Sequence, residues 1–139
     1  MGCDIHGWVE RRVPIDPLGI FLRDREYKWV AVSEFKWLPT RSRNYKRFTR
    51  LASVRGVSTC KPRGVPGNVS ETVRYHINEK GADGHSHSYM SLVMAAQIWL
   101  QTDPEPSFYN NNHPESAYFD VEVDAEYLKD FRVVFWFDN

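Results

Sequence analysis

The sequence predicts a small α+β domain, and three observations predict it. The closing stretch Phe131-Arg-Val-Val-Phe-Trp-Phe137 is a near-continuous apolar run, the mark of a central strand covered on both faces. Two earlier stretches, Ile5 to Val13 and Tyr27 to Val32, read as strands parted by turn-forming residues. Between them and the end lie segments with helical spacing that begin at serines and stop near glycines. A chain of 139 residues is most simply one domain, able to bury about two-thirds of its unfolded surface.

Taken in order, Ile5 to Val13 sets Trp8 and Val9 among polar alternates, and Val13-Pro-Ile-Asp-Pro-Leu-Gly19 turns the chain. Tyr27 to Val32 is expected to pair with it antiparallel. Ser42 to Val54 places Tyr45, Phe48, Leu51 or Ala52, then Val54 or Arg55 on one helical stripe, with Ser42 as N-cap and Gly56 as stop. Its opposite face carries Arg43, Lys46, Arg47 and Arg50. Gly56 to Ser70, with three Gly and two Pro, is a loop. Ser70 to Gly81 reads as a short helix, and Asp83 to Tyr89 as extended. Ser91 caps an almost wholly apolar, hence buried, helix from Leu92 to about Leu100. Thr102 to Ser116 is a polar loop, expected to be mobile, and Asp124 to Asp130 a helical turn before the final strand.

Composition excludes several classes. Aromatic residues make up 14% of the chain, enough large side chains for a core without disulfides. Cys3 and Cys60 are too few for a disulfide scaffold, and no CxxC pair offers a zinc knuckle. No run approaches the roughly 18 apolar residues of a membrane span, and the N-terminus lacks a secretory pattern. Met-Gly-Cys resembles a lipidation start, but His6 stands where that motif needs Ser or Thr. The expectation is a cytosolic protein without membrane contact. Nucleotide-cradling glycine motifs are absent as well.

Net charge is zero, but it is the sum of unlike halves. Phe35 to Ser70 holds no acidic residue, whereas from Asp103 onward nine carboxylates face only Lys129 and Arg132. Either the two segments pack together and cancel, or the basic one is an anion-binding face. Arg43 and Arg47, at helical spacing, are the candidate phosphate contacts, since guanidinium binds phosphate by paired hydrogen bonds. The plainer alternative is the solvated side of an amphipathic helix.

One constellation carries chemistry: Asp4-Ile-His6 with Asp83-Gly-His85-Ser-His87. Side chains two apart on a strand share a face. Asp4 and His6 are therefore expected to point together, as are His85 and His87, with Asp83 joining them. Were the two strands neighbours, about 4.8 Å apart, all five would converge. Such a mixed oxygen and nitrogen set suits a divalent metal, zinc or manganese foremost, and an open position would make the site catalytic. The competing reading is structural, with each histidine tied to a neighbouring carboxylate. Cys3 and His6 would face opposite sides of a strand; a Cys3–His87 pair is the remaining nucleophilic arrangement, and Cys3 as a small buried residue the bland one. His76 and His113 are expected to be solvated.

Met1-Gly-Cys-Asp-Ile-His6, Arg43-Asn-Tyr45 with Phe48, Leu51-Ala52 and Val54-Arg55, Pro62-Arg-Gly-Val-Pro66 with Val69-Ser70, Asp83-Gly-His-Ser-His-Ser88, and Val134-Phe-Trp-Phe-Asp-Asn139 together resemble a family of uncharacterised phage and prophage proteins. The resemblance covers both ends and the middle. It implies a phage or prophage origin and a bacterial host cytosol, and it transfers no activity. Members often carry Trp where Tyr89 stands here, which keeps an aromatic.

The leading expectation is thus a phage metal-dependent hydrolase acting on a phosphoester, nucleotide or nucleic acid. Its competitor is a non-catalytic accessory protein that binds a host protein, a nucleotide or nucleic acid, with the His/Asp cluster structural.

Overall fold

A computed structural model describes residues 2–16, 18, 26–34, 44–102 and 128–139. Four strands, β1 (Asp4–Pro14), β2 (Tyr27–Glu34), β3 (Gly84–Ser91) and β4 (Phe131–Asp138), form one antiparallel sheet in the order β2-β1-β4-β3. Three helices, α1 (Tyr45–Ala52), α2 (Glu71–Lys80) and α3 (Leu92–Gln101), complete a small α+β fold. The apolar run at the end of the chain is the central strand: Arg132 to Phe137 are buried throughout.

Alternation along β4 divides the core. Val133, Phe135 and Phe137 face Phe48, Leu51 and Ala52 of α1 and Ala95, Ile98 and Trp99 of α3. Val134 and Trp136 face the other way, toward Val73 and Ile77 of α2 and Trp8 of β1. The sheet is therefore covered on both sides. No helix among the described residues is long and apolar enough to cross a membrane.

The caps follow the chemistry of serine and asparagine. Ser70 and Ser91 accept from the N–H groups of Val73 and Met94, opening α2 and α3 where the sequence places them. For α1 the cap is Asn44, which accepts from Arg47 N at 3.0 Å; Ser42 lies outside the described residues. Its stop also differs from expectation. Ser53 takes the left-handed conformation at φ 55° and ends the helix three residues before Gly56. Gly56 is needed for another reason, since a Cβ there would meet Thr49 Oγ1 at 2.6 Å. The loop expected at Thr102 to Ser116 lies, after Thr102, outside the described residues, and so does the turn at Asp124 to Asp130 before Leu128.

Candidate functional site

The strand order decides the fate of the Asp/His constellation. β4 lies between β1 and β3, so the two histidine-bearing strands are not neighbours. Asp4 pairs with Asp138, and Asp138 in turn with Gly84; His6 pairs with Trp136. The expected side-by-side pairing is corrected to two strands separated by a third, twice the strand spacing apart.

Within β3 a second correction applies. Between His85 and Ser88 the register slips against Phe137 and Phe135, and Ser86 sits at φ 55°. This is a β-bulge, with one extra residue in β3, and it breaks the i, i+2 rule locally. His85 consequently stacks on Phe137, at 6.2 Å, on the α1/α3 face. His87 stacks on Trp136, at 6.3 Å, on the α2 face. Asp83 is not in the strand but ends an exposed 3₁₀ turn, Gly81–Asp83. Among the described residues no group of three or more His, Cys, Asp or Glu is placed to hold a metal ion. Cys3 is fully buried in the α1/α3 core, away from the His87 face, so the dyad reading falls too.

What the sheet does assemble is a ring ladder. His6, Trp136 and His87, one from each of β1, β4 and β3, stack in a row, with His6 6.1 Å from Trp136. Burial, and next the charge of His85, holds His87 below the ordinary histidine range, so it is neutral at neutral pH. His6 Nε2 lies 2.7 Å from Asp138 Oδ2, and Lys80 of α2 reaches the same oxygen at 3.4 Å. Beside this trio Trp8 stacks on His76 at 5.0 Å, and His76 Nδ1 lies 3.6 Å from Glu79. Glu79 also accepts from Tyr75, whose phenol it raises above its ordinary value. His6, Trp8 and Trp136 from the sheet and His76, Glu79 and Lys80 from α2 wall a cleft of about 60 Å³. Asp138, Lys80 and Trp136 are not singled out by the sequence, and His76, expected to be solvated, instead stacks on Trp8. Trp136 and Asp138 sit in the terminal run, but only strand register reveals that Trp136 opposes His6 and that Asp138 lies diagonal to it.

A buried ion pair shares this face. Glu10, fully buried, accepts from Arg132 Nε at 2.8 Å and from the N–H of Ser70 at 2.8 Å. Arg132 also donates to Asn68 Oδ1 and lies 4.0 Å over Trp29. Burial lowers its pKa against the opposing pull of Glu10, yet a guanidinium so paired stays charged.

The basic segment is placed differently from expectation in one respect. Arg47 is buried, donates to Thr102 Oγ1 at 2.9 Å and to the carbonyl of Trp99 at 3.0 Å, and lies over the Trp99 ring. It ties α1 to the end of α3 and is no surface phosphate contact. Arg43 lies outside the described residues. The remaining cations do form a surface. Lys46 is exposed and Arg50 half-buried on α1, and Arg55, Lys61 and Arg63 follow on the loop, all exposed. That loop is rigidly built: Ser53 Oγ bonds Ser58 and Cys60, and Ser58 Oγ donates to Thr49 O at 2.7 Å. It then crosses the outer edge of β3, where Gly64 N donates to His87 O and Arg63 N to Ser88 Oγ. Arg55 lies over Tyr45, and Arg63 4.1 Å over Tyr89.

No protein-family model, curated protein or solved structure matches the chain.

Proposed function

We propose that this is a non-catalytic phage accessory protein that binds the phosphate backbone of a nucleic acid. The observation that carries the reading is a carboxylate-free stretch, Asn44 to Ser70, wrapped from α1 over the edge of β3. It carries Lys46, Arg50, Arg55, Lys61 and Arg63 at or near the surface. Cations displayed on a rigid strip attract a polyanion and release its counterions, which needs no base-specific contact. Stacking on Tyr45 and Tyr89 restrains two of the guanidiniums, which lowers the entropy lost when phosphate binds.

This reading is preferred to a metal-dependent phosphoester hydrolase because the five ligand-type side chains are divided between β1, the two faces of β3 and a 3₁₀ turn, with β4 between the two strands. It makes the His/Asp elements structural. Elemental analysis of tag-free protein separates the two: the binding reading expects zinc and manganese far below one equivalent, and about one tightly held equivalent would restore the hydrolase. The bacterial cytosol implied by the phage resemblance is part of the same proposal.

The direct test is fluorescence anisotropy with a labelled oligonucleotide across a salt series. Binding should weaken with salt, with a log–log slope of up to about −4 for contacts from these five cations. Lys46→Glu with Lys61→Glu, both on exposed side chains, should flatten that slope by about 2. A slope unchanged in the double variant would remove this surface from the argument.

A further inference from the structure

Arg63 is an exposed side chain that the fold nevertheless holds in one place. Its guanidinium lies 4.1 Å over the Tyr89 ring, with Nη1 donating to Tyr89 O at 3.4 Å and Nη2 to Tyr89 Oη at 3.3 Å. Those two acceptors sit at opposite ends of the tyrosine, so the group is pinned lengthwise across the ring. Tyr89 is braced in turn by Arg132, 5.8 Å from the same ring. The backbone is anchored too: Arg63 N donates to Oγ of the buried Ser88 at 3.2 Å, and Gly64 N to His87 O at 2.8 Å. Two of the five guanidinium N–H groups are therefore taken, and one planar face is covered by tyrosine. What this arrangement leaves to solvent is the opposite planar face.

We infer that the basic strip takes a single-stranded nucleic acid, with an unpaired base stacked on the outer face of Arg63. The inference rests on the phosphate-binding reading above and narrows its ligand. A guanidinium is planar, delocalised and weakly hydrated, so a nucleobase stacks on it as an aromatic ring does. In a duplex every internal base is already covered on both faces by its neighbours, and only groove edges and backbone are offered. An unpaired base can supply the third layer above Tyr89 and Arg63. Because every base has such a face, the contact is indifferent to sequence, in keeping with a strip that otherwise meets the backbone.

The surroundings leave room for it. Gly64 follows Arg63 at φ 83°, a conformation suited to glycine, and a Cβ there would meet nothing within 4 Å. Lys61, exposed two residues earlier, adds a cation for an adjoining phosphate. With Arg63 already fixed on Tyr89, little side-chain freedom is lost when the base arrives.

The test is fluorescence anisotropy of the full chain, at one ionic strength, with three labelled ligands: a short oligodeoxyadenylate, an abasic strand of equal length, and a duplex of that length. Wild type should bind the base-bearing strand about tenfold tighter than the abasic one, a comparison that needs no variant. Arg63→Lys keeps the charge and removes the flat face. It should weaken the base-bearing strand by about tenfold, change the abasic strand and duplex by less than about twofold, and leave the salt slope as it was. Equal wild-type affinity for the two single strands, or an Arg63→Lys loss common to all three ligands, would overturn the stacked base. Salt-dependent binding of all three alike sinks this inference and leaves the phosphate surface standing; no binding of any sinks both.

Discussion

The two faces of the sheet are built by opposite means. Toward α1 and α3 the sheet presents Val9, Met90, Val133, Phe135 and Phe137, and the fit is that of interlocking apolar side chains. Toward α2 it presents His6, Trp8, Glu10, Arg132, Trp136 and Tyr89, where rings and charges must each find a partner. The first face tolerates apolar swaps that keep its volume. The second cannot lose one member of a pair without leaving the other buried and unmatched. Among the described residues, the buried side-chain donor on this face that has no partner is Trp136 Nε1.

The contrast can be broken from either side. Phe137→Ala, fully buried and in contact with Phe48, should cost about 3–5 kcal/mol in urea unfolding, the largest effect expected. On the other face Glu10→Gln should cost about 3 kcal/mol by stranding the Arg132 charge. Glu10→Leu combined with Arg132→Met should cost much less than Glu10→Gln alone; if the double is the worse, the face is held by more than the pair. Arg47→Met, removing its hydrogen bonds to Thr102 and Trp99 and its contact with the Trp99 ring among others, should cost about 2 kcal/mol while leaving oligonucleotide binding unchanged. Full stability with weakened binding would return Arg47 to a phosphate role.

The smallest effect concerns pH. Because the folded pKa of His87 lies below 6.5, the unfolded chain takes up its proton first as pH falls. Stability should therefore decline from about pH 6.5 down to the folded value and then stop declining on this account. His87→Gln should remove that part of the decline when unfolding is compared at pH 7.5 and 5.5, and an identical decline in the variant would assign it elsewhere.

Much of the fold was legible because local rules settle it. Ser70 and Ser91 cap the helices they precede, and the Phe131–Phe137 run can only be a strand with both faces covered. The site was not, for reasons that are not local. That β4 inserts between β1 and β3 depends on sheet order, which residue spacing does not encode. The opposite facing of His85 and His87 depends on one backbone angle at Ser86, a serine where glycine or asparagine would have signalled the turn. Arg47 reads as surface from its charge, yet its guanidinium meets the open carbonyl end of α3. A helix wheel sees the charge and not the carbonyl.

The bulge at Ser86 has a consequence for how copies of this protein meet. An outermost strand with regular pairing groups is a template on which further chains can add. β3 is bent by its extra residue, and the chain at Arg63 and Gly64 already takes the His87 carbonyl and the Ser88 hydroxyl. The middle of that border is bent and already engaged by the chain's own loop, which makes β3 a poor template for a strand from a second copy.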